Sequence, residues 1–516
     1  MKNKKHLKKL FKIIFGRSMI YILMMVLQVF YIFLAFEKLK NYTGYILILF
    51  SLLSAVLVIY IINRKGNPAF KLVWMIPILV VPVFGALIYL WSRLQLGTNI
   101  IRKRHIDICD RTSAEFLTQD KGVLDELEET DPLTASTVKY MSNYGGYPIY
   151  KNTKVTYFPQ GEDKFAELLI QLDKAEKFIF MEYFIIEEGE MWGAVLEILK
   201  KKAAEGVEVR VMYDGMCSVV LLPYGYPKQL EKFGIKCKMF APVIPVLTTS
   251  QNNRDHRKIV SIDGKVAFTG GVNLSDEYIN RKVLYGHWKD TAVMLEGDAA
   301  KSMTMMFLQM WNITEKTEDI YADYIPDIPE IPDADGYVMP YADSPLDGMN
   351  VGEQVYLDIL NTAERYVHIM TPYLILDNEM ITALTHAAMR GIDVKLILPH
   401  IPDKKYAYLL ARSHYKELIE GGVKIFEYEP GFVHAKVFVS DDRKAVVGSI
   451  NLDFRSLYLH FECAAFMYKC SEIAAIEGDY RKTLKKCIRI DMENIRKYPI
   501  GKKLLGSCLR LIAPLM

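Results

Sequence analysis

The feature that most constrains this chain is a pattern that occurs twice. Asp255-His256-Arg257-Lys258 runs on to Asp263, Gly270, Gly271 and Asn273, and Val433-His434-Ala435-Lys436 runs on to Asp441, Gly448, Ser449 and Asn451. Both copies read H-x-K-x4-D-x6-G-[GS]-x-N with no gap. A match of that length arises by chance at roughly 1 in 10⁶ positions or fewer. Two copies in one chain therefore mark an internal repeat, and a repeat implies two similar domains facing each other.

The surroundings repeat as well. Phe178 to Ile186 is a strand-like apolar run, followed by a helical stretch around Trp192 to Ala204, a break at Gly206 and a second run, Val207 to Tyr213. The second block gives Val367 to Ile375, a helix from Asn378 to Met389, Gly391, then Ile392 to Leu398. Strand, helix, strand with short turns predicts a βαβ crossover. The expected fold class is α/β, with mixed, largely parallel sheets packed together.

Within the motif, residues two apart on a strand share a face. His434 and Lys436 are expected to point one way, with Ala435, Val437 and Val439 pointing the other. Asp263 and Asp441 fall at a turn, at Asp-Gly and Asp-Asp, and are expected to tether it while completing the catalytic signature. Gly271 and Ser449 are small enough to let the backbone, with Asn273 and Asn451, approach an anion.

The chemistry that needs two copies is attack on a phosphodiester. Lys258 and Lys436, with the two asparagines, can hold the charge gained on the phosphoryl oxygens, and no metal or other cofactor is required. One imidazole can attack phosphorus while the other protonates the alkoxide leaving group and later deprotonates an acceptor. Each histidine needs an orienting carboxylate. Asp290, downstream of His256, and Glu462, downstream of His434, are the candidates.

Composition matters mainly at the N-terminus. Three apolar runs without a charge, Ser18 to Phe36, Tyr45 to Ile62 and Leu72 to Trp91, each approach the length of about 20 residues that a membrane helix needs. Seven basic residues precede the first run, from Lys2 to Arg17, and no small-residue cleavage site follows it. This reads as an uncleaved anchor and not a signal peptide; Leu7 to Phe15 has the alternative of lying flat on anionic lipid. Two to three transmembrane helices are expected, with the side of the membrane left open by Arg93, Arg102, Lys103 and Arg104, which oppose the simple count. The net charge of +3 points to no partner, and the seven cysteines, odd in number and without a CxxC pair, support neither a disulfide framework nor a cysteine zinc site.

These residues resemble the phospholipase D superfamily and, within it, the bacterial cardiolipin synthases. The carrying segments are Asn253 to Lys258, Gly270-Gly271-Val272-Asn273 with Asp276-Glu277-Tyr278, and Trp288-Lys289-Asp290. In the second half they are Thr371-Pro372-Tyr373 and Asn451-Leu452-Asp453-Phe454-Arg455-Ser456 leading to Phe461-Glu462. Arg64, Pro68, Trp74, Pro82, Gly85 and Tyr89 resemble that family's membrane segment. The resemblance implies one metal-free active site between two phospholipase D-like domains. It implies transfer of a phosphatidyl group between two phosphatidylglycerol molecules in an anionic bacterial plasma membrane, through a phosphohistidine on His256, with His434 as acid and base. A lipase or another phosphatidyltransferase with the same motifs stays open. A nuclease is disfavoured, since no basic, aromatic stripe for nucleic acid surrounds the motifs. The extra first apolar run departs from the two-helix hairpin often seen in such synthases.

The expected plan is a membrane anchor over 1–93, a helical connector over 94–145, the first domain over 146–319, a proline-rich linker over 320–347, the second domain over 348–490 and a basic amphipathic segment over 491–516. The apolar, proline-broken stretches at Val219 to Leu222 and Pro242 to Leu247 are either an acyl-chain entry or packed loops. The C-terminal segment is either an interfacial helix or a cap on the second domain.

Overall fold

The computed structural model describes residues 43–80, 85–87, 89–90, 96–217, 221–242 and 252–515, with residue 33. Two compact units emerge, residues 1–96 with 243–251 and residues 97–242 with 252–516.

In the first unit, the helices Thr43–Asn63 and Pro68–Val80 are joined by a turn at Gly66, whose φ of 119° suits glycine. Leu57, Ile61, Ile78, Ala86 and Tyr89 form a small buried seam. Leu49, Leu52, Val56, Ile59, Leu72 and Leu79 face outward and are exposed. Helix Thr43–Asn63 is 21 residues long, with the side chains at 43, 46 and 47 outside the described set. Over the described residues alone, no helix is long and apolar enough to cross a membrane. The first apolar run, apart from Phe33, lies outside the described residues, as do Val219, Val220 and residues 243–251. Of the remaining loop residues, Leu222 and Tyr226 are buried and Tyr224 is exposed.

The second unit opens with the expected helical connector, Leu96–Phe116, Lys121–Thr130 and Pro132–Tyr140. Its first sheet comprises β1 (Thr153–Phe158), β2 (Phe178–Tyr183), β3 (Glu208–Asp214), β4 (Lys236–Phe240), β5 (Lys258–Ile262), β6 (Val266–Gly270) and, after the short β7 (His287–Lys289), β8 (Ala292–Gly297). The order is β1-β8-β6-β5-β2-β3-β4. The second half contains β9 (Tyr337–Asp343), β10 (Tyr366–Met370), β11 (Leu374–Ile375), β12 (Asp393–Pro399), β13 (Lys424–Tyr428), β14 (Gly431–Val433), β15 (Val437–Ser440), β16 (Lys444–Gly448), β17 (Leu452–Asp453), β18 (Glu462–Tyr468) and β19 (Cys487–Ile490). Its main sheet runs β19-β13-β12-β10-β15-β16-β18-β9.

The βαβ crossovers form where the pattern predicts them. Helix Glu190–Ala204 links the parallel β2 and β3, and helix Asn378–Met389 lies between the parallel β10 and β12. The sheets are mixed, yet mostly antiparallel, which corrects the expected parallel majority. Within these two sheets the parallel runs among the described residues are β2-β3-β4 and β10-β12-β13. The motif itself forms a hairpin in each half, β5-β6 and β15-β16, and a tight hairpin turn can join only antiparallel strands.

The expected linker is also only partly a linker. Its end folds as β9, the edge strand against β18. An edge position tolerates Pro340, whose missing N–H leaves no ladder bond unmade. The two sheets share one core: Phe180, Ile259 and Val293 from the first pack in the same cluster as Val446, Ala464 and Phe466 from the second. Helix Ala300–Asn312 is buried along nearly its whole length and belongs to that cluster. At the C-terminus, helix Ile500–Arg510 sets Gly506 against the Leu409 backbone, while Ile500, Leu504, Leu505 and Leu511 remain exposed.

Candidate active site

The motif histidines do not lie inside strands, as their spacing suggested, but just ahead of them. Lys258 opens β5, and His434 falls between β14 and β15. Each is hung on the opposite half of the molecule. The His256 N–H donates to the Phe461 carbonyl at 2.9 Å, and the Phe461 N–H donates to the Arg254 carbonyl at 2.8 Å. β14 pairs in parallel with β7, and the His434 N–H donates to the Lys289 carbonyl at 2.7 Å. The residues after those two carbonyls are Glu462 and Asp290.

The carboxylates are therefore exchanged. His256 Nδ1 lies 2.9 Å from Glu462, and His434 Nδ1 lies 2.6 Å from Asp290. Sequence order had matched each histidine with the carboxylate downstream in its own half. The strand exchange overturns that pairing, because the chain returns to the other half's histidine before placing each acid. An ionised carboxylate only accepts hydrogen bonds, so in each pair Nδ1 carries the proton and Nε2 keeps its lone pair.

The two pairs differ in support. Ser449 Oγ donates to Glu462 and accepts from the Cys463 N–H at 3.1 Å. At the equivalent place in the first half stands Gly271, where a Cβ would lie 2.0 Å from Asp290 Oδ1. Gly271 is thus the room that Asp290 occupies. Both positions contact the carboxylates. Asn273 accepts from the Ile185 N–H at 3.1 Å and donates to Tyr278 Oη at 2.7 Å. Asn451 donates to Ser456 Oγ at 3.1 Å. Each amide nitrogen keeps a second N–H.

Asp263 and Asp441 stand apart from the histidines, a correction to their inclusion among catalytic groups. Asp263 accepts from the N–H groups of Glu176, Lys177 and Phe178, and Asp441 from those of Glu364, Arg365 and Tyr366, all at 2.8–2.9 Å. With φ of 53° and 58°, they turn the hairpin and fasten it to the start of β2 or β10. A carboxylate whose oxygens hold three backbone donors is a structural clamp.

The lysines are held inward. Lys258 donates to the His256 carbonyl and Lys436 to the His434 carbonyl, and Lys436 Nζ lies 3.1 Å from His434 Nε2. Burial pushes the Lys258 ammonium down to about 8 and that of Lys436 down to about 7. Burial, with Lys436 and Lys258 adding to it, holds the His434 imidazole well below its ordinary value. Burial likewise lowers His256. The carboxylates diverge. Burial alone would raise Glu462, but its pairing with His256, and with His460 beyond it, holds it well below the carboxylate range. Asp290 is pushed by burial up to about 6, with Lys436 only partly offsetting the rise.

Aromatic rings wall the site. Phe184 lies 4.9 Å from the His256 ring, and Tyr278 and Trp288 lie 5.3 and 5.4 Å from the His434 ring. Beneath His256, Arg257 pairs with Glu182 at 2.5 Å, and the Asp255 N–H donates to Asp214 at 3.0 Å. One neighbour escaped the sequence reading: His460, whose ring is 5.5 Å from that of His256. The signal was present as H-x-E at 460–462, the same two-residue spacing as H-x-K.

Comparison with known proteins follows this geometry. A family model described as cardiolipin synthase, PLD-like domain matches residues 168–311 and 356–484, and one described as phospholipase D-nuclease N-terminal matches residues 52–93. A Streptococcus mutans protein named only as uncharacterized is 51% identical over 459 residues, 89% of this chain and 99% of its own. A Geobacillus kaustophilus cardiolipin synthase is 33% identical over 490 residues, 92% of this chain and 95% of its own. Bacillus cereus cardiolipin synthase 2 is 33% identical over 463 residues, 89% of each chain. Among solved structures, Haemophilus influenzae phosphatidylserine synthase aligns with a TM-score of 0.54 at 14% identity, covering 74% of this chain and all of that one, a likeness of fold.

Proposed function

The chain belongs to the cardiolipin synthase family, phosphatidyltransferases of the phospholipase D type, and from that premise we propose that it joins two phosphatidylglycerol molecules through a phosphohistidine on His256. The observation that carries this reading is the pair of exchanged dyads, His256 with Glu462 and His434 with Asp290. His256 Nε2 attacks phosphorus as the bond to the headgroup glycerol breaks. His434 gives the departing oxygen a proton. His434 then takes the proton from a hydroxyl of a second phosphatidylglycerol, whose oxygen attacks phosphorus as the P–N bond breaks. Two phosphatidylglycerols become cardiolipin and glycerol.

The electrostatics favour His256 as nucleophile. Its carboxylate is ionised at neutral pH and stabilises the imidazolium that forms on attack. Asp290, at about 6, supports His434 less strongly and lets it release its proton. A phosphodiester anion between the lysines raises the His434 imidazole, and Lys436 Nζ lies beside that ring, 2.9 Å from Nδ1 and 3.1 Å from Nε2. The second N–H of Asn273 and of Asn451, with Lys258 and Lys436, holds the phosphoryl charge.

The reading includes an anchor in the bacterial plasma membrane, of two to three helices, within residues 1–93. An uncharged helix at Thr43–Asn63 with outward-facing leucines supports it, as do the exposed leucines beside Lys502 and Lys503 near the C-terminus. The proposed divisions stay as read from the sequence, except that the second domain begins with β9.

Purified full-length protein given labelled phosphatidylglycerol should produce cardiolipin and glycerol in equal amounts. Phosphatidic acid without cardiolipin would overturn the transferase assignment. Recovery of the protein in the supernatant after alkaline carbonate extraction of membranes would overturn the anchor.

A further inference from the structure

His460 precedes β18 and stands two residues before Glu462. Its side chain is 9% exposed. Neither of its ring nitrogens has a hydrogen-bond partner among the described residues, while Glu462 Oε1 lies 2.9 Å from His256 Nδ1. The two groups face each other, with His460 Nδ1 3.7 Å from Oε1. Buried polar groups are normally paired, so a buried imidazole without a partner beside the His256–Glu462 pair calls for a ligand. A neutral imidazole keeps one lone pair and a carboxylate several, so a cation that accepts electron pairs fits between them.

One donor atom each from His256, His460 and Glu462 lies within 4.8 Å of the other two. Two imidazoles and one carboxylate suit Zn²⁺, with the fourth tetrahedral position left open. We propose that His256, His460 and Glu462 form a Zn²⁺ site, and that the bound metal switches the enzyme off. The second clause rests on His256 as nucleophile; the first does not.

The inhibition follows from proton bookkeeping on one ring. Neutral His256 carries one proton, on Nδ1 when it faces Glu462. If the metal binds Nε2, the attacking lone pair is taken directly. If it binds Nδ1, replacing the proton between His256 and Glu462, that proton moves to Nε2. In either case Nε2 has no lone pair for phosphorus.

The test uses full-length protein in detergent, stripped of metal and titrated with ZnCl2 by calorimetry, without lipid. Wild type should bind one equivalent that His460→Asn and His460→Ala lose or bind at least ~10-fold more weakly. Co²⁺ added to wild type should give the intense visible absorption of a four-coordinate site, a readout that needs no variant. Uptake by the His460 variants equal to wild type, or a wild type without that equivalent or that spectrum, would overturn the site. The ratio of transfer rates with and without Zn²⁺ should fall well below one in wild type and approach one in His460→Asn. A metal that binds without lowering the wild-type rate would overturn the switch alone. Since binding is read without substrate, failure of cardiolipin formation is a separate result.

Discussion

The two halves of the active site carry the same motif and surround it differently. Around His256 the second half supplies an ionised Glu462 steadied by Ser449, and the strand beneath holds buried ion pairs through Arg257 and Glu182. Around His434 the first half supplies Asp290, fitted against Gly271, with Trp288, Tyr278 and Phe432 packed on the ring. The polar setting keeps its carboxylate charged, and the aromatic setting pushes its carboxylate up to about 6. A duplicated motif thus supplies two equal imidazoles, and the environment makes them unequal.

The largest test of that inequality is removal of the imidazoles. His256→Ala should lower transfer by roughly 10⁴-fold or more. His434→Ala should stop turnover after the first step, leaving radiolabelled phosphatidyl on His256. Label found on His434 in the His256→Ala protein would reverse the roles.

Next come the carboxylates. Glu462→Gln should cost about 10³- to 10⁴-fold in kcat, as loss of a triad acid does, and Asp290→Asn less, about 10²-fold. Equal losses would break the comparison. Between Gly271 and Ser449 the effects should be smaller. Gly271→Ala displaces Asp290 and should lower kcat about 10- to 100-fold. Ser449→Ala removes one hydrogen bond to a charged group, about 1.5 kcal/mol at the lower end of such bonds, hence roughly 10-fold.

The smallest effect is in pH. Above about 6 the Asp290 carboxyl is ionised and supports the His434 imidazolium; below it the carboxyl is neutral and that support goes. The log of kcat against pH should therefore bend downward below about 6. Asp290→Asn should remove that bend, and Glu462→Gln should retain it, since Glu462 stays ionised well below that range. A bend surviving in Asp290→Asn would assign it to another group.

The repeated strand-helix-strand order was legible because hydrophobic periodicity and a glycine break are local signals, and Phe178 and Val367 indeed lie in the parallel strands β2 and β10. The antiparallel majority was not, because β1 with β8, β2 with β5, β10 with β15 and β9 with β18 pair across long stretches of chain. Asp263 and Asp441 show the same limit. Their place at a turn suggested a tether and their motif membership chemistry, and the three backbone donors around each identify what is tethered, the start of β2 or β10. His460 was missed because its H-x-E spacing to Glu462 gains meaning only when the fold sets it beside His256.

By itself, then, the sequence determined the chemical inventory: two His-Lys pairs, two carboxylates, an apolar N-terminus and a duplicated α/β frame. Those depend on residue identity and on spacing along a strand or helix. The tertiary structure alone decided which carboxylate serves which histidine, which acid is charged, and that a third imidazole borders the site. Partnership and charge state depend on distance and burial, and here the strands β7 and β14 and the segment before β18 cross between halves to set both.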